Sequence, residues 1–152
     1  MTLALVVVWL HLLGVVVWIG GVMYQAHVLL PAARAGAVAA FVDAARRARP
    51  VTWTAVSVVA LTGFYNITQL GPLERVMNSG AGMLLVVKFA LVIVAIAVAA
   101  QRDFARLPIL RSALHGSGDA TAELKAIVRM DRTVLLIAVI VMYLGLAISR
   151  MR

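Results

Sequence analysis

The chain has 152 residues, of which 64% are hydrophobic and 13% charged, and its mean hydropathy is +1.03. That much apolar surface cannot be hidden inside a soluble domain of this size, so a water-soluble enzyme or binding module is excluded. The net charge of +8 follows the loops without interleaved aromatics, which argues against a nucleic-acid partner, and zero cysteines exclude disulfides, thiolate ligands and CxxC redox chemistry.

Four stretches, 3–30, 51–69, 83–100 and 133–148, can each cross a hydrocarbon core of about 30 Å at about 1.5 Å per residue. They predict an all-α fold: an integral membrane four-helix bundle forming one domain, 1–152, in the lipid bilayer. The first stretch lacks a positive n-region and outruns a signal-peptide core, so it reads as a retained helix. His11, Gly14, Trp18 and Gly21 fall on one side of it. That stripe reads either as a small-residue contact seam or as a cofactor-facing surface, with imidazole as ligand and glycine making room for a flat ring. His27 lies on nearly the opposite face at the far end, where a surface histidine is the usual case.

The alanine-rich stretch 35–49 has helical spacing, and Pro50 either begins the second helix or kinks a continuous one. Thr62 and Asn66 are one turn apart in that helix. A short connection over 70–82, opening with Gly71-Pro72, makes helices two and three antiparallel neighbours. Lys88 is the one charge within the four stretches, and no carboxylate in them is available to pair with it. A lysine at membrane depth is a functional-site hypothesis by default, with snorkelling to the headgroups as the bland alternative. Pro108 and the Gly-Ser-Gly at 116–118 break the next loop, which also carries the solvated His115, and Asp119 or Thr121 can cap a helix running into the fourth stretch. Trp9, Tyr65 and Tyr143 near one boundary, with Tyr24 and Trp53 near the other, read as aromatic belts.

Charge sets the orientation. Ten basic residues lie between helices one and two or between three and four, against Arg75, Arg150 and Arg152 on the other side. The positive-inside rule then puts both termini outside, in a multi-pass protein of a bacterial inner membrane. Counting inward from the outer boundary brings His11 and Lys88 to about 12 Å depth, and Met142, Thr62 and Asn66 to the same layer. A b-type haem takes His or Met as axial ligands and cations for its propionates, whereas copper(I) takes thioether and imidazole. His11 and Met142 are therefore the candidate metal ligands, Lys88 a propionate or anion partner, and Gly14, Trp18 and Asn66 candidate cofactor-lining residues. No activated nucleophile and no intramembrane acid–base pair is present, so hydrolysis and covalent catalysis find no support.

The run WLHLLGVVVWIGGVMY, residues 9–24, ending at Leu30-Pro31, resembles the opening helix of the copper-resistance protein D (CopD) family, with its LH, W-x-G-G and following proline. Helix three, with Lys88 in VVKFALV and Gln101-Arg102 beyond it, is similar to that family's K-[FL]-x-L-V helix. The four-helix layout more distantly resembles HemJ-type protoporphyrinogen oxidases, which share a first-helix histidine and a third-helix lysine. It departs from them at 25–28 and lacks an acidic residue within helix four, where Asp131 stands just before the span. The resemblance implies a CopD-like protein handling haem b or copper, in electron transfer or copper homeostasis, with membrane or periplasmic redox or copper proteins, or a second copy, as partners. Porphyrinogen oxidation and a non-enzymatic assembly partner are the alternative readings.

Overall fold

The computed structural model describes residues 2–69, 80–116 and 118–150, and all its regular structure is helical. The expected outer connection lies mostly at 70–79, outside the described residues. Four rods follow one another. Helix α1 is α-helical over Leu3–Tyr24, π-helical over Gln25–Leu29 and α-helical again over Leu30–Arg34. Helix α2 runs unbroken over Val38–Thr68, with Pro50 inside it, so the continuous reading of 35–69 is the one that forms. Helix α3 repeats the pattern of α1: Gly80–Ala100, a π-helical turn over Gln101–Arg106, then Leu107–Ala113. Helix α4 spans Ala120–Arg150. At its start the Asp119 carboxylate accepts from the backbone N–H groups of Thr121 and Ala122, at 2.9 and 3.1 Å; the N-cap is Asp119.

All four rods are long and apolar enough to span a membrane. Their surfaces are arranged for lipid: Leu12, Val16, Leu61, Phe64, Ile93 and Leu136 all point outward. In hydrocarbon such residues cost nothing to expose, and the helices satisfy their own backbone groups. Inside the spans, Trp18, Val22, Ala55, Val56, Ala95, Ala99, Val134 and Ile137 form a core to which every rod contributes.

A second core lies at the arginine-rich end, built from Leu30, Phe41, Leu107, Leu110, Ile127 and their neighbours. Each rod therefore runs past its apolar stretch and remains packed, as helices of a soluble bundle do. This is why residues that a hydropathy reading puts in loops are buried here.

Each π-helical turn is followed within two residues by a proline. Pro31 and Pro108 lack the N–H that the carbonyl four residues earlier would accept, and their rings crowd the preceding turn. Widening the helix by one residue in the preceding turn accommodates the ring. Within these turns Gln25, Arg102 and Asp103 are all buried.

Candidate functional site

The layer around His11 begins with Gly14. A Cβ there would stand 2.9 Å from a Val59 methyl and 3.2 Å from the Ala55 carbonyl, so α1 and α2 pack in close contact. Of the two readings of the glycine stripe, the contact seam is what forms at Gly14, and Val59 and Ala55 take the space beside it. Trp18 is buried one turn further in, within the apolar core.

His11 faces α2 on the same seam. Its Nδ1 lies 2.9 Å from Thr62 Oγ1, and that hydroxyl donates to the Val58 carbonyl one turn back. With the threonine's single proton on that carbonyl, its oxygen accepts from a ring N–H at Nδ1. In that tautomer a neutral imidazole keeps its lone pair on Nε2. Gly63 makes room: a Cβ on it would come within 3.2 Å of His11 Cε1.

Lys88 is half-buried on α3 and turns toward α4. Its Nζ fits against Gly145, where a Cβ would come within 3.1 Å of the amine. The ammonium lies within electrostatic range of the His11 ring. His11, Thr62, Gly63, Lys88 and Gly145 are therefore brought into one layer from all four rods. Asn66 is half-buried one turn beyond Thr62. Met142 is 52% exposed on the outward face of α4 and does not turn into this layer. Among the described residues no three His, Cys, Asp or Glu side chains cluster as a metal-ligating group. His27 and His115 are exposed and bond to the carbonyls of Met23 and Arg111.

A denser cluster is built at the other end. Arg102 Nη1 donates to Asp103 Oδ1 at 2.7 Å, and its Nε stands 2.9 Å from Asp131 Oδ1 on α4. From α2, Trp53 Nε1 donates to Asp103 Oδ2 at 3.0 Å and Arg49 Nη2 to the Asp103 carbonyl at 2.8 Å. Phe104 packs against the Trp53 ring, and the Arg49 guanidinium lies over its face. Arg102 and Asp103 are each 3% exposed and Asp131 1%. Trp53 thus belongs to this knot. Its indole has a buried carboxylate to donate to. Arg102 Nη2, Asp131 Oδ2 and Gln25 Oε1 have no hydrogen-bond partner among the described residues.

The residues missed from sequence are of two kinds. Gly63 and Gly145 are apolar-helix glycines whose use depends on helix rotation. The knot does carry a signal, since Gln25 precedes Pro31, and Arg102 precedes Pro108, by the same six positions.

No curated protein and no solved structure matches this chain. The family model for copper resistance protein D does match, over residues 42–148. The match takes in Lys88, Gly145 and the whole ion-pair knot and begins after α1, so His11 stands outside it. Covering α3 and nearly all of α2 and α4, it extends over well more than half the chain, and the protein belongs to the copper resistance protein D family.

Proposed function

We propose that this member of a copper-resistance membrane-protein family handles a redox metal centre, haem b or copper, in the outer half of its bundle, with His11 as the ligand. The observation that carries the reading is the His11–Thr62 bond. A metal-ligating histidine almost always donates its other ring N–H to an oxygen, which fixes tautomer and orientation. Thr62 does this for His11 and leaves Nε2 as the free donor atom. Imidazole suits both haem iron and copper.

Lys88 separates the two centres. A bare copper ion beside His11 would be repelled by an ammonium in a low-dielectric layer, whereas a porphyrin brings carboxylates that an ammonium pairs with. The geometry therefore favours a centre carrying its own negative charge, with Lys88 as its partner. Such a centre would supply one-electron chemistry, and the surrounding apolar helices would keep water from it. Met142, on the outward face, reaches such a centre only from outside this bundle, as at a junction with a second copy or a redox partner.

The protein purified in detergent should show a Soret band, with α and β bands that sharpen on dithionite reduction, and stoichiometric iron by elemental analysis. His11→Ala should abolish that spectrum and His115→Ala should leave it intact. A colourless protein with bound copper would move the reading to copper as cargo, and a colourless, metal-free protein would overturn it.

The orientation proposed is both termini outside, in a bacterial inner membrane. A reporter active only outside the cytoplasm, fused after Arg152, should be active. An inactive fusion, with activity from a cytoplasmic reporter at the same place, would reverse the assignment of outer and inner layers.

A further inference from the structure

At the arginine-rich end a cleft of about 570 Å³ opens between α2 and the last turns of α3. Its walls are Arg46 and Arg49 from α2, facing Arg111, Ser112 and His115 from α3; Leu107 and Pro108 supply the apolar part. The volume is that of a small-ligand site, which runs to about 300–1,000 Å³. No carboxylate lines it. The nearest acid on α2, Asp43, lines an adjoining concavity with Arg46 and Arg47. The knot's two aspartates are occupied by Arg102 and Trp53. Among the described residues none of Arg46, Arg49 and Arg111 makes an ion pair.

Three guanidiniums converging on one cavity without a counter-charge repel one another, and an anion bound there removes that repulsion. One of the three is fixed in advance. Arg49 is held by the Asp103 carbonyl and by the face of Phe104, so little side-chain freedom remains to be lost on binding. His115 donates Nδ1–H to the Arg111 carbonyl, which ties the cleft's outer wall to the helix end. Arginine forks match the paired oxygens of a phosphate group.

The level of the cleft names the source of that phosphate. Arg49 and Asp103 are in contact, hence at one height, immediately below the apolar stretch of α2. From there to Arg111 is eight residues of helix, about 12 Å, the depth range of lipid headgroups just outside the hydrocarbon. Basic pockets between transmembrane helices at this level are built to take acidic lipid headgroups. We infer that the Arg46–Arg49–Arg111–His115 cleft binds a phosphate monoanion or diester, supplied by the headgroup of an anionic phospholipid of the same leaflet.

The test is thermal unfolding of the detergent-solubilised full chain with added phosphatidylglycerol, with phosphatidylcholine, or with inorganic phosphate at matched ionic strength, together with counting of retained lipid by native mass spectrometry. Phosphatidylglycerol should raise the melting temperature by several degrees, phosphatidylcholine should not, and retained phosphatidylglycerol should fall at least fivefold in Arg46→Gln/Arg111→Gln. A control pair, Arg34→Gln/Arg132→Gln, removes the same charge from exposed positions outside the cleft and should behave as wild type. Stabilisation by inorganic phosphate as strong as by the lipid, lost in the same cleft variant, would keep the site and make its ligand a soluble phosphate. Equal effects of the two lipids on the wild-type chain, or equal losses in the cleft and control pairs, would overturn the site. The wild-type comparison decides even where a variant fails to fold.

Discussion

Replacing Arg102 with methionine should destabilise the bundle by about 3–5 kcal/mol, the range for removing one partner of a buried ion pair. The size follows from what remains. Asp131, 1% exposed on α4, loses the guanidinium 2.9 Å away, and Asp103 loses the donor at 2.7 Å. Two carboxylates would then share one dry compartment at the crossing of α2, α3 and α4, with the Trp53 indole as the remaining side-chain donor among the described residues. Denaturant titration of helical circular dichroism in micelles measures the loss. The second half of the expectation is sharper. Arg102→Met combined with Asp131→Leu should recover most of the stability, because apolar replacement of a whole buried pair is often neutral or better. A neutral Arg102→Met would mean that water reaches the knot and that it contributes little.

The knot also shows where a hydropathy reading stops being informative. The four apolar helices were legible, and the choices at Pro50 and at Asp119 or Thr121 were narrowed to two each, because apolar length and capping residues are local properties of the chain. The reading of Arg102 as a loop charge failed for a nonlocal reason. Hydropathy ends a span where charge begins, yet Leu107, Leu110, Leu124 and Ile127 carry a packed core past that boundary. A charge inside such an extension is buried without being in lipid. The local clue was the proline six residues on, since each π-helical turn aims a polar side chain inward.

In the layer around His11, height along the bundle was legible and rotation was not. Counting 1.5 Å per residue brought His11, Thr62 and Lys88 to one level, and all three do come together there. The same count brought Met142 to that level, but a position at the right height faces either lipid or neighbour depending on helix phase. Met142 faces outward. Gly63 and Gly145 are the converse case. They are unremarkable at their heights, and they receive the imidazole and the ammonium because their helices turn that way.

That placement makes Lys88→Leu the decisive variant of the proposed centre. A snorkelling lysine extends along its helix to the headgroups, and exchanging it for leucine in an apolar span should be neutral or stabilising. Here the Nζ is instead fitted against Gly145 of α4, half-buried between rods and within range of His11. If it pairs with an anionic group of a bound centre, removing it leaves that group buried without its cation, a penalty of a few kcal/mol. Each ~1.4 kcal/mol is tenfold in affinity, so cofactor occupancy after purification should fall roughly ten- to a hundredfold. Lys88→Arg should restore part of it, since charge is kept but the larger head no longer fits the space at Gly145. Gly145→Val supplies an independent check, because it displaces the ammonium while leaving every charge in place, and it should lower occupancy in the same direction. Unchanged occupancy and melting temperature in both Lys88→Leu and Gly145→Val would remove Lys88 from the site and leave His11 as its only supported ligand.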